Sequence, residues 1–110
     1  MPSGRPRREF LYVDDAADAL VHLARNYSGE SHVNIGSGTD LTIAELAETV
    51  AEVVGFRGEL TFDDTKPDGM PQKLLDVSRL TKLGWRARTD LREGLARAYE
   101  WYRDNVAEAA

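Results

Sequence analysis

His32-Val33-Asn34-Ile35-Gly36-Ser37-Gly38-Thr39-Asp40-Leu41-Thr42-Ile43-Ala44-Glu45-Leu46 carries a strand, a glycine turn and a helix start in one short stretch. His32–Ile35 reads as a short strand bounded by turn residues. Thr42 and Glu45 form the T-x-x-E capping box, in which each side chain satisfies the other residue's free backbone N–H. Ile43, Leu46, Ala47, Val50 and Val54 then fall on one helical face, and Gly55 supplies the stop. Strand, turn and helix in immediate succession predict an α/β organisation.

Toward the amino end, Phe10–Val13 is a short apolar run suited to a buried strand or an extended lead-in. Asp14 can cap a helix running to about Tyr27, with Ala17, Leu20, Val21 and Ala24 as its apolar face. The arm before it crowds Arg5, Arg7 and Arg8, and taken alone it reads as a solvated, frayed terminus. Toward the carboxyl end, Glu59–Phe62 reads as a strand, and Leu74-Leu75 is a candidate for another. Ser78 can cap a short helix from Arg79 to Leu83. A last helix starts near Thr89-Asp90, with Leu91, Leu95, Ala98, Tyr99 and Tyr102 on one face. The expectation is about four helices with three short strands around a thin core, because 110 residues suffice for only one small domain.

Composition narrows the chemistry. The hydrophobic share of 42% and charged share of 30% are those of an ordinary globular chain, and no apolar run spans a membrane. A net charge of −5 argues against general nucleic-acid binding. There is no cysteine, so thiol catalysis, disulfides and thiolate metal sites are ruled out. His22 and His32 have no companions at metal-ligand spacing. Asp14, Asp15 and Asp18 read as helix-start carboxylates favoured by the helix dipole. Gly36-Ser37-Gly38 invites a phosphate-loop reading, but G-x-G-x-x-G fails at Leu41, and a tight turn accounts for the glycines.

Lys66-Pro67-Asp68-Gly69-Met70-Pro71-Gln72-Lys73 is a long loop stiffened by prolines and mixing both charges. It suits a structural connector or a ligand site equally well. A lysine there can meet a phosphate, and an aspartate can accept hydrogen bonds from hydroxyl or amino groups.

Taken together, these segments resemble a known family. Arg8-Glu9-Phe10-Leu11-Tyr12-Val13-Asp14-Asp15 is similar to the R-x-F-x-x-V-x-D motif of extended short-chain dehydrogenase/reductase enzymes acting on nucleotide sugars, the NAD-dependent epimerase/dehydratase superfamily. Val33–Gly38 and Thr42–Leu46 continue that broad pattern. Phe62–Asp76 resembles, more specifically, the K-P-D-G-x-P-R-K-L-L-D segment of the GDP-L-fucose synthase family (GDP-4-keto-6-deoxymannose epimerase/reductases). Leu83-Gly84-Trp85 and the last helix extend the resemblance over essentially the whole chain.

The resemblance implies that residues 1–110 are the carboxyl-terminal, nucleotide-sugar-binding portion of such an enzyme, without its Rossmann NADP-binding domain. It implies substrate-binding roles for Arg8, facing a pyrophosphate, and for Asp68 and Lys73 in a loop closing over a GDP-sugar. The implied whole enzyme converts GDP-4-keto-6-deoxymannose to GDP-L-fucose with NADPH, in the cytoplasm and as a homodimer. The implied partner of this portion is the missing Rossmann domain, and no cofactor is expected to bind the chain alone. Two residues depart from the family pattern: Gln72 replaces an arginine, and Met1 stands where an aromatic pocket residue is expected. No catalytic residue is expected here, because no tyrosine is followed four residues later by lysine: Tyr12 meets Ala16, Tyr27 Ser31, Tyr99 Arg103 and Tyr102 Val106. Without that tyrosine acid and a hydride donor, a 4-keto sugar is not reduced. Two rival readings are a portion of another nucleotide-sugar epimerase or reductase, and a structural domain that lost its ligand.

Overall fold

The computed structural model describes residues 3–106. Among them are four helices and a three-stranded mixed sheet, in the order β1 (Arg7–Glu9), α1 (Val13–Asn26), β2 (Asp40–Thr42), α2 (Ile43–Val54), β3 (Gln72–Lys73), α3 (Ser78–Lys82) and α4 (Leu91–Asn105). Strand β1 is central. It pairs antiparallel with β2, Arg7 opposite Thr42 and Glu9 opposite Asp40, and parallel with β3, Arg7 beside Gln72 and Arg8 beside Lys73.

The number of strands matches the sequence expectation, but their positions do not. Phe10–Tyr12 takes the second of its two expected forms, an extended lead-in to α1 with Val13 as the first helical residue, but neither His32–Ile35 nor Glu59–Phe62 forms a ladder. β3 lies just before Leu74-Leu75. A strand exists only where a partner accepts its hydrogen bonds, and local apolarity does not encode that partner. The arm is ordered because it supplies one. The N–H of Ile43 donates to Pro6 O at 3.0 Å, and the N–H of Ala44 to Gly4 O at 2.9 Å. With the capping box from Thr42 and Glu45, this satisfies the free donors at the start of α2. At the other end Gly55 takes φ +76, and the N–H of Phe56 reaches Ala51 O at 2.8 Å.

Helix α1 packs the other way round from the expected stripe. Its inner face is Asp15, Ala19 and Leu23, while Ala17, Leu20, Val21 and Ala24 are all exposed. Nor does Asp14 cap the helix: Tyr12 holds that position without a side-chain bond. Two of the three aspartates read as dipole partners make tertiary bonds. Asp15, which is buried, accepts the N–H groups of Arg88 (3.1 Å) and Thr89 (2.9 Å) and the Thr89 hydroxyl (3.1 Å). Asp18 accepts the indole N–H of Trp85 at 2.8 Å. These bonds seat Trp85 beside Ala19 and Leu80, the fully buried apolar side chains, with Val33, Ile35 and Val77 packed around them. His22 is a packing residue, its Nε2 donating to Leu83 O at 2.6 Å.

Helix α3 begins at Ser78, with Val77 at the cap position and no side-chain cap, so Ser78 does not take the capping role expected of it; its N–H is accepted by the Asp76 carboxylate at 2.9 Å. Asp90 caps α4, accepting the Glu93 N–H at 2.8 Å. α4 lies against α2, and Arg92 pairs with Glu52 across them. Its buried contact is Gly94, where an added Cβ would sit 3.3 Å from Tyr12 Cβ. Leu91, Leu95 and Tyr99 are half-buried, but Ala98 and Tyr102 of the expected face are exposed.

On one face of the sheet, Asp40 joins all three strands. It accepts Arg7 Nε at 3.0 Å and Gln72 Nε2 at 2.6 Å. The Gln72 bond chiefly, and then Arg7, hold its carboxyl below the ordinary value of 3.8. A depressed folded value means stabilisation that is complete above the unfolded value and lost as pH falls through the lower folded one. Urea midpoints of the wild type are therefore expected to fall more steeply below pH 3.8 than those of Asp40→Asn; parallel curves would contradict the bridging role. Asp15→Ala, which strands two backbone donors, is expected to lower unfolding free energy by about 2–4 kcal/mol. Asp14→Ala should cost under about 1 kcal/mol in the same urea titration.

Candidate functional site

Side chains alternate across a strand, so the sheet separates two sets of residues. Arg7, Glu9, Asp40, Thr42 and Gln72 share one face, while Arg8, Leu41 and Lys73 share the other. Arg8 and Lys73 are register partners on parallel strands, which run about 4.8 Å apart. Like charges placed so are mutually unfavourable, and an anion seated between them removes the penalty. Arg8 is fixed in place: its Nη1 donates to Arg7 O at 2.7 Å. Its Nη2 lies 3.4 Å from where a Cβ on Gly69 would stand, so the loop backbone crosses beside the guanidinium.

The loop is tied down at several points, all by the arm or the sheet. Arg7 N–H donates to Pro71 O at 2.8 Å. Asp68 accepts the Ser3 hydroxyl at 2.6 Å and the Ser3 N–H at 3.1 Å. The hydroxyl bond chiefly keeps the Asp68 carboxyl below the ordinary carboxylate range, with the Ser3 N–H and the Arg5 charge adding to it. Glu9 Oε1 accepts the Leu75 N–H at 3.1 Å, which fixes the far end. Of the sequence-derived residues, Arg8 and Lys73 are brought together, and Asp68 is held one residue before the Gly69 that crosses Arg8. Gln72 lies on the opposite face, bonded to Asp40, so the missing arginine charge is not missing from the Arg8–Lys73 face. Met1 lies outside the described residues.

Sequence reasoning missed Ser3 and Glu9. Ser3 meets Asp68 across 65 positions, and no local signal marks that pairing. Glu9 fills the glycine turn: its Oε2 accepts the Gly38 N–H at 2.6 Å, and a Cβ at Gly36 would collide with the same carboxylate. Gly38 itself takes φ +80. The turn does cradle an anion, but that anion is the chain's own carboxylate. This arrangement does not fit the pyrophosphate of NADP, because Glu9 already fills the turn.

Elsewhere, an open groove of about 380 Å³ runs between Phe10–Val13, α2 and α4. Its one carboxylate, Asp90, already caps α4. Among the described residues no three His, Asp or Glu side chains are grouped to hold a metal ion. None of the described helices is long and apolar enough to cross a membrane.

Residues 1–36 match the NAD dependent epimerase/dehydratase family. GDP-L-fucose synthase 1 of Arabidopsis thaliana is 60% identical over 104 residues, covering 94% of this chain and 32% of the relative. The GDP-L-fucose synthase of Escherichia coli K12 is 49% identical over 112 residues, covering 94% of this chain and 35% of the relative. Among solved structures, a GDP-L-fucose synthetase from Naegleria fowleri bound to NADP superimposes with a TM-score of 0.91 at 28% identity. That match covers 99% of this chain and 35% of the Naegleria chain. The chain thus spans about a third of the length of the relatives it matches. Over that length it is a GDP-L-fucose synthase homologue, with its head matching the NAD dependent epimerase/dehydratase family.

Proposed function

We propose that the chain is the carboxyl-terminal, nucleotide-sugar-holding portion of a GDP-L-fucose synthase-like epimerase/reductase. The observation that carries this reading is the in-register pair Arg8 and Lys73, with the Gly69 backbone laid beside the guanidinium. The planar Arg8 fork suits two phosphate oxygens at once, and Lys73 adds a mobile point charge beside it. Asp68, oriented by Ser3, retains lone pairs for a hydroxyl or amino group of the sugar or base. The ligand class is a GDP-sugar, in keeping with the relatives' names.

In the whole enzyme this portion would bind and orient GDP-4-keto-6-deoxymannose, and NADPH held by a Rossmann domain would supply the hydride that, with epimerisation of the sugar and a proton on the keto oxygen, gives GDP-L-fucose. In this reading the chain's residues bind and screen charge, and the proton for the keto oxygen comes from outside the chain. The position of Gln72, across the sheet from Arg8 and bonded to Asp40, supports this reading over that of a domain that lost its ligand, for which Gln72 and Met1 were the two signs.

Calorimetric titration with GDP tests the reading. The wild type is expected to release heat on a single site, Arg8→Ala to weaken it at least about tenfold, and Lys73→Ala about threefold or more, tenfold being 1.4 kcal/mol. Absence of heat in the wild type, or equal affinity in all three proteins, would sink it. Rigorously purified chain given NADPH and GDP-4-keto-6-deoxymannose is expected to leave the absorbance at the nicotinamide band unchanged; measurable oxidation would overturn the assignment of the chemistry to residues outside this chain.

A further inference from the structure

Little in β3 itself fastens it to the sheet. It is an edge strand of two residues, both exposed, and Leu74 and Leu75 behind it are each 44% accessible. A strand this short is below the usual length, and it has no apolar burial of its own to hold it. Lys73 also stands in register with Arg8, so charge repulsion pushes this edge outward. Yet β3 is seated.

Its fastenings bracket Lys73 and come from side chains on the opposite face of the sheet. Before Lys73, Gln72 Nε2 donates to Asp40 Oδ2 at 2.6 Å; after it, the Leu75 N–H donates to Glu9 Oε1 at 3.1 Å. Each carboxylate is held by a second partner. Asp40, whose side chain is only 10% accessible, accepts Arg7 Nε through Oδ1 at 3.0 Å. Glu9 accepts the Gly38 N–H through Oε2 at 2.6 Å. The residue type at 72 then follows from charge. Arg7 already neutralises Asp40, so β3 needs to bring only an uncharged N–H donor, and a glutamine amide is one. An arginine there, as in the family pattern, would set two guanidinium groups on one carboxylate.

We infer that Gln72 and Asp40 are positioning residues for Lys73, with Arg7 carrying the charge that the family pattern places at position 72. From the far face of the sheet they hold Lys73 beside Arg8 against the repulsion between the two cations. Their effect on a ligand passes through Lys73 alone. The inference rests on the proposed reading of Arg8 and Lys73 as a diphosphate site, and it makes the departure at Gln72 a relocated charge in place of a lost one.

A double-mutant cycle on GDP affinity tests it. Gln72→Leu, which removes the donor, should weaken GDP about threefold or more, as Lys73→Ala does. Added to Lys73→Ala, the same change should alter affinity by less than about 1.5-fold, because no cation is left to position. In Arg7→Leu, Gln72→Arg should return affinity to within about twofold of the wild type. Without ligand, exchange of the Arg7 amide, whose N–H donates to Pro71 O, should speed at least about tenfold in Gln72→Leu. Exchange at Phe56, which closes α2, should stay as it is. Equal losses of affinity in the two backgrounds, no rescue by arginine, unchanged exchange at Arg7, or faster exchange at Phe56 would each overturn the inference. If the wild type releases no heat with GDP, the reading of the site falls instead, and exchange at Arg7 decides the anchoring by itself.

Discussion

β1 is three residues long and paired on both sides, so alternation along it sends Arg8 to one face and Arg7 with Glu9 to the other. The region of the site depends on this constraint. Arg7 reaches Asp40, which holds Gln72 and so fixes β3 against the sheet. Glu9 bonds both the Gly38 turn and Leu75, joining two segments that share no backbone ladder. Arg8 alone is turned toward Lys73 and the Gly69 backbone. A shift of one residue in register would exchange the two sets, burying the ligand cation among the structural bonds and exposing the bridging carboxylate.

The residues just before β1 explain why a charged arm is ordered. Its carbonyls at Gly4 and Pro6 satisfy the start of α2, and Ser3 holds Asp68. Each contact is modest alone. Together they convert a polar loop, which would otherwise fray, into a fixed wall beside a pair of cations. The cations repel one another in the absence of a ligand, and in the proposed reading a diphosphate binds there by screening that repulsion.

Features governed by neighbours in sequence were legible. The capping box at Thr42 and Glu45, the stop at Gly55 and the four helices all rest on contacts a few residues long, and each appears within a residue or two of its expected place. The strands were not legible, because each depends on a partner tens of residues away: Arg7 with Thr42, Arg8 with Lys73. The face of α1 was misread for a related reason. Apolarity marks a surface that packs on something but not on what, and within this chain Asp15 and Ala19 hold the inner face. In the site, the family resemblance brought out Arg8, Lys73 and Asp68, but not Ser3 or Glu9, whose roles arise only when the arm, turn and loop meet.

The most direct measurement of the central claim is a backbone amide NMR titration of the chain with GDP. If the Arg8–Lys73 face holds the diphosphate, the largest shift changes fall on Arg8, Gly69 and Lys73, and those at Gly36 and Gly38, where Glu9 occupies the turn, stay small. Changes centred on Gly36–Gly38, or on the sealed start of α2, would contradict the account.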